Sequence, residues 1–293
     1  MMASSAAPPR RRRLVGVSTK MYFSYAQTLS YVTSVLEHLS AGDSQDLLSQ
    51  VDVFVIPDHV SLAATAALLR DTPILPGAQD AHHEDRGAFT GEVSPAVLAE
   101  VGCRIVELGH AERRRLFGET DADAARKAKA AARNGMVPLV CIGELTRPRP
   151  SDSDSSSGSD ASASAAAVAA AVEECRPQVE AVLAALPATA DVILAYEPVW
   201  AIGAASPASP SHVVGVARGL RALECVRRRE EAAGSSGERG GTVRIVYGGS
   251  AGPGLFAKLV AGGEGDGVDG LFLGRFAHDP AQFVKTIREV AEA

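Results

Sequence analysis

No apolar run in this chain approaches the roughly 18 residues that a membrane-crossing helix needs, so no membrane role is expected. The four cysteines, Cys103, Cys141, Cys175 and Cys225, form no CxxC pair. Neither a zinc site nor a disulfide framework is indicated, and a reducing, cytoplasmic setting is the default. Positive charge is not in excess: the net charge is −6, which argues against a general nucleic-acid or membrane-surface role. An anionic ligand must then be held by local features, such as one Lys and oriented backbone amides. The first strand-like run is followed by Val17-Ser18-Thr19-Lys20-Met21, which has no glycine. A Gly-rich phosphate loop at that point would announce an open doubly wound sheet, and it is missing.

What is present is most informative near residue 197. Asp191-Val-Ile-Leu-Ala-Tyr196 is a solid apolar stretch without a helical stripe, the pattern of a buried parallel strand. It ends on Glu197, and Pro198 prevents the strand from continuing. The chain's only tryptophan, Trp200, and then Gly203 follow. A carboxylate at the rim of a buried sheet, under a short loop with an apolar tip, suits a proton-abstracting base with a water-excluding lid. A strand-end Glu that caps a neighbouring helix is the plainer explanation.

Three stretches read as irregular. Residues 1–13 combine Ala, Ser and Pro with Arg10-Arg11-Arg12-Arg13; they lack the apolar segment of a signal peptide, and a disordered basic lead-in is expected. Pro148 to Ala167 contains a run of Ser and Asp with almost no apolar content, so disorder is expected there too. Ala232 to Gly241 reads as a Gly/Ser-rich loop extension. Without these, about 250 residues remain, the usual length of one eight-stranded α/β barrel.

Strand-like runs occur at Leu14–Ser18, Val51–Ile56, Ile74–Ala78, Arg104–Leu108, Val137–Ile142, Val192–Tyr196, Val243–Tyr247 and Val268–Leu273. Helical patterns lie between them; Leu29, Val32, Leu36 and Leu39 share one face of the first. Eight strands alternating with helices predict a single closed (β/α)8 barrel over residues 14–293, with the Ser/Asp-rich insertion after the fifth strand. Polar residues stand at the strand ends. Lys20 follows the first run, Gln79 the third, His110 the fourth, Glu144 the fifth and Glu197 the sixth. Gly248-Gly249-Ser250 follows the seventh and Gly274 the eighth. Carboxyl ends of strands form the face on which such barrels build active sites, often with a phosphate site after the last two strands. Singly, each has a structural explanation; jointly they describe one mouth.

These segments resemble those of the triosephosphate isomerase family. The matching runs are Lys20-Met21, Gly77-Ala78-Gln79, Gly87-Ala-Phe-Thr-Gly-Glu92, Leu108-Gly-His-Ala-Glu-Arg-Arg114, Cys141-Ile-Gly-Glu144, Ala195-Tyr-Glu-Pro-Val-Trp-Ala-Ile-Gly203 and Tyr247-Gly-Gly-Ser250. They come in family order and cover nearly the whole chain outside the irregular stretches.

The resemblance implies an aldose–ketose isomerase acting on a small phosphorylated sugar without cofactor or metal. It implies Glu197 as the base, His110 as a neutral electrophile, Lys20 as the balancing cation and Glu112 as the acid supporting that Lys. That division of labour between Glu and His is a standard illustration of pKa tuning. Gly203, Ser250 and Gly274 would offer backbone N–H groups to the phosphate, with Gly248 and Gly249 beside them. Pro198 to Ser206 would be the lid, and the Phe89-Thr90-Gly91 loop implies a homodimer.

Four departures lie in or near the pocket. Ser18-Thr19 stands where the family usually has Asn-Trp, and Ala111 where it usually has Ser. Ala204-Ala205-Ser206 replaces the usual Thr-Gly-Lys, and Arg275 the usual second Gly after Gly274. Ser18, shorter than Asn, leaves room, and Arg275 adds bulk and charge. With the acid–base set intact, this pattern suits three-carbon phosphosugars or, in a paralogue, four-carbon erythrulose phosphates; Ser18, Thr19 and Arg275 are then expected to set the choice. A catalytically dead scaffold would have lost Lys20, His110 or Glu197, and none is lost.

Overall fold

In the computed structural model, which describes residues 12–40, 47–147, 165–204, 206–235, 240–261 and 267–293, the eight apolar runs become eight parallel strands. They are β1 (Arg13–Ser18), β2 (Val51–Ile56), β3 (Leu75–Ala78), β4 (Ile105–Leu108), β5 (Val137–Ile142), β6 (Val192–Tyr196), β7 (Val243–Tyr247) and β8 (Gly270–Leu273). Each pairs with the next, and β8 pairs back on β1, closing the barrel in sequence order. Helices fill the intervals, so the expected (β/α)8 architecture is the observed one.

Successive strand residues face opposite sides. One set packs outward against the helices and forms the larger core, including Val15, Val53, Val140, Leu194 and Ile245. The other set fills the barrel itself: Leu14, Phe54, Ile56, Ile105, Leu139, Ile193, Val246 and Phe272. Phe54 and Phe272 stack across the interior with centroids 5.7 Å apart. Continuing this inward register to the carboxyl ends of the strands leads to Ser18, Glu107, Glu197 and Gly248. The polar mouth is thus the top layer of the apolar barrel.

Three expected boundaries need correction. Arg13 opens β1, and its guanidinium donates to the carbonyl of Val290 at 3.0 Å. Arg12 pairs with Asp52 on β2 at 2.6 Å. Partners on the body of the barrel hold these two residues, so the expected lead-in shrinks to residues 1–11, which lie outside the described residues. Ala165, Ala166 and Ala167 open the helix Ala165–Ala185, as alanine's helix propensity favours; the rest of the expected Ser/Asp tract, 148–164, also lies outside. The helix Glu224–Ser235 runs into the expected loop at 232–241, and the Gly241 N–H donates to the Ala188 carbonyl at 3.0 Å. In the first helix, Tyr25–Ser40, the buried stripe is Thr28, Tyr31, Val32, Val35 and Leu39, so Leu29 and Leu36 flank it.

Candidate active site

The strand ends converge on a cavity of about 1240 Å³. Its lining includes Ser18, Lys20, Glu107, His110, Glu112, Glu197, Gly203, Gly249, Ser250, Gly274 and Arg275. Of the residues proposed from sequence, Thr19, Gln79, Glu144 and Gly248 do not line it.

Glu197 directly follows β6 and is 6% exposed. Its backbone N–H donates to the Ile142 carbonyl at 2.8 Å. Two glycines make room for it: a Cβ on Gly143 would sit 2.0 Å from the Glu197 carbonyl oxygen, and one on Gly248 would sit 2.3 Å from Oε1. The Gly248 N–H is already bonded to the Tyr196 carbonyl at 2.9 Å. Gly248 therefore serves the carboxylate rather than a phosphate, which revises the part expected of it. Burial pushes the Glu197 carboxyl above its ordinary range, against the pull of His110 and Lys20. Oε2 is buried without a hydrogen-bond partner among the described residues; it lies 3.4 Å from His110 Nε2.

His110 caps the helix Ala111–Phe117. Its Nδ1 accepts the Glu112 backbone N–H at 3.1 Å. A ring nitrogen that accepts cannot carry the hydrogen, so Nε2 carries it and directs it into the cavity. Arg114 Nε donates to the Gly109 carbonyl at 2.7 Å, closing the turn before the imidazole.

Lys20 has φ of 49°, the only left-handed non-glycine among the described residues. Such backbone is costly and persists where neighbours over-determine it. Here Gln79 donates to the Lys20 carbonyl at 2.8 Å, and Nζ pairs with Glu112 Oε1 at 2.8 Å. Burial alone would lower the ammonium's pKa. The hydrogen bond and charge of Glu112, with Glu197 and Glu107 behind it, reverse that and hold it above the ordinary value. Glu112 is held below its ordinary value by the same pairing, which outweighs its own burial.

The loop after Glu197 is tied down at both ends. Trp200 Nε1, the Tyr196 hydroxyl and His212 Nε2 gather around Glu144 Oε1 at 3.0, 3.2 and 3.0 Å. Ser250 Oγ donates to the Ala204 carbonyl at 2.9 Å, and the Ala208 N–H donates to the Tyr247 hydroxyl at 3.1 Å.

Sequence reasoning missed Glu107, Gly143 and His212. Glu107 is 4% exposed on β4 and accepts a hydrogen bond from Ser18 Oγ at 2.9 Å. Burial pushes its carboxyl up to about 7. The available signal was a carboxylate inside an apolar run, on the same face as Ile105. Among the described residues no group of His, Cys, Asp or Glu is placed to hold a metal ion, and no helix is long and apolar enough to cross a membrane.

Fold and site together define a (β/α)8 barrel with a carboxylate, an imidazole and an ammonium at its C-terminal mouth. A sequence model of the family described as triosephosphate isomerase matches residues 13–290. The chain is 42% identical to an L-erythrulose-1-phosphate isomerase of Pectobacterium atrosepticum, covering 93% of each protein. It is 38% identical to a triosephosphate isomerase of Chloroflexus aurantiacus, covering 94% of this chain and 97% of that one. An L-erythrulose-1-phosphate isomerase of Rhizobium meliloti is 34% identical over 95% of this chain and 97% of its own length. The chain belongs to the triosephosphate isomerase family.

Proposed function

We propose that this protein is a cofactor-independent, cytoplasmic isomerase of small phosphosugars that moves a carbonyl between adjacent carbons through an enediolate. The observation that carries this reading is Glu197 Oε2: buried, unbonded, and 3.4 Å from an imidazole Nε2. Glu197 removes the proton from the carbon beside the carbonyl and returns it to the neighbouring carbon. His110 donates from Nε2 to the carbonyl oxygen as negative charge develops there. Lys20 balances that charge, and Glu112 keeps its ammonium in place. The phosphate lies against the backbone of Gly203, Gly249, Ser250 and Gly274, with Arg275 at its edge. Electrons are rearranged within the substrate, so no redox partner is required.

Glyceraldehyde 3-phosphate with dihydroxyacetone phosphate, and the four-carbon erythrulose phosphates, are the two substrate readings. Ser18 favours the second, because its hydroxyl turns to Glu107 and a longer side chain would fill that space. Purified protein should isomerise at least one of the pairs. It should also exchange one substrate C–H with deuterium from solvent, an exchange that Glu197→Gln abolishes. Undiminished turnover by Glu197→Gln would remove the proton-transfer route.

A further inference from the structure

Of the carboxyl groups lining the cavity, Glu107 and Asp121 are not used by the proposed proton transfer, and Asp121 is paired with Arg114 at 2.5 Å. Glu107 follows Ile105 in the inward register of β4 and stands above an apolar floor, with Cys141 and Phe272 also lining the cavity. Among the described residues, Ser18 Oγ is its only hydrogen-bond partner. β1 and β4 are three strands apart, so this bond spans the barrel interior. A carboxyl only 4% exposed above an apolar floor is costly unless its oxygens are satisfied. Two apolar side chains would close the floor more cheaply, so a structural role gives no reason to keep it.

Its placement supplies one. The phosphate side of the mouth is built from the ends of β7 and β8, and β4 lies across the barrel from β8. The end of the substrate remote from the phosphate therefore faces β4. A three-carbon phosphosugar has only hydrogen beyond the reacting carbons at that end, whereas a four-carbon one has a hydroxymethyl group.

We infer that Glu107, held by Ser18, receives the terminal hydroxyl of a four-carbon phosphosugar and so sets the substrate class. This rests on the isomerase reading above. Both forms of the carboxyl serve: ionised it accepts the hydroxyl hydrogen, protonated it donates to the hydroxyl oxygen.

The test compares L-erythrulose 1-phosphate with its 4-deoxy analogue, in which the hydroxyl remote from the phosphate is replaced by hydrogen. A site built around a substrate hydroxyl rejects the analogue lacking it strongly, so the wild type should convert the analogue with kcat/KM lower by about 10²-fold or more. In Glu107→Leu the two compounds should come within about threefold of each other. Glu107→Gln, which matches the native shape and can still bond a hydroxyl, should keep roughly a tenfold preference and carries the test if the Leu variant does not fold. Equal conversion of the two compounds by the wild type overturns the inference. So does an undiminished preference in the variants, or turnover of three-carbon sugars only. In those cases the isomerase reading stands; no isomerisation of any of these sugars by the wild type removes both.

Discussion

At the scale of single residues, the site depends on where one carboxylate stands. Glu197→Asp keeps the charge and withdraws it by about 1 Å, which should cost on the order of 10²-fold in kcat. Melting should be unchanged, because the group lies on the rim rather than in the packed interior. Wild-type turnover on every accepted sugar would remove Glu197 from the base role. Glu107 makes a different prediction, about stability. Its carboxyl is raised from an ordinary 4.5 to about 7 in the fold. The stability it contributes is fully present below the unfolded value and is lost as pH rises through the folded one. Glu107→Gln does not titrate, so its stability relative to wild type should grow by about 2 to 3 kcal/mol between pH 5 and pH 8. Chemical denaturation at both pH values measures this, and a constant difference would show that Glu107 titrates normally. Lys20, His110 and Glu197 were legible in the sequence because each stands within two residues of the end of a strand-like run, where a polar residue has to be at a rim. Glu107 was hidden because it lies inside such a run, where its alternation with Ile105 was the sole clue. Thr19 shows the opposite limit. It adjoins two lining residues in sequence, yet it is 1% exposed and does not itself line the cavity.

At the scale of elements, the helix Ala111–Phe117 fixes the His110 ring, and a buried ion cluster fixes the helix. Lys127 Nζ donates to both oxygens of Asp80 at 2.9 Å and lies 2.5 Å from Glu119 Oε1. Arg113 Nε, on the His110 helix, is 2.7 Å from Asp80 Oδ2 and 3.4 Å from Glu119 Oε2. Removing one member strands the opposite charges away from water. Lys127→Met should therefore destabilise by about 3 to 5 kcal/mol, measured by urea unfolding. A loss of less than about 1 kcal/mol would mean that the carboxylates find water instead. Four strands, β2, β5, β6 and β7, begin and end where the apolar runs do, because turn residues bound those runs. Ile74, Arg104, Val268 and Asp269 precede their ladders instead. The Asp269 N–H donates to the Ile245 carbonyl and the Arg104 N–H to the Pro76 carbonyl, so cross-strand bonding begins before the regular ladder does. The helix start at Ala165 was obscured by a tract whose composition changes gradually from Ser to Ala.

At the scale of the whole molecule, the exposed apolar side chains are the feature to explain. Met21, beside Lys20, is 92% exposed, and Tyr22, Phe89 and Phe117 are exposed as well. Phe89 stands on the Gly87–Glu92 loop, with its ring 4.1 Å from that of His82. Such surface is what a second copy of the chain would cover, in keeping with the homodimer implied by family resemblance. The wild type should then sediment at twice the 30.3 kDa of one chain, and Phe89→Asp should shift it toward monomer with a loss of activity. Sedimentation equilibrium distinguishes the cases, and a monomeric wild type would leave these side chains to another partner.

The loop over the mouth has one further property. Trp200 is the chain's only indole, so the ultraviolet emission excited near the red edge of the band comes from this single position. The indole N–H is bonded to Glu144 at 3.0 Å, and the Arg147 guanidinium carbon lies 5.6 Å from the ring centroid. Departure of the loop breaks the bond and removes the cation, which changes both the brightness and the colour of the emitted light. The unlabelled wild-type protein therefore carries a built-in optical gauge, and rapid mixing with a phosphosugar tests, without an attached dye, whether this loop moves.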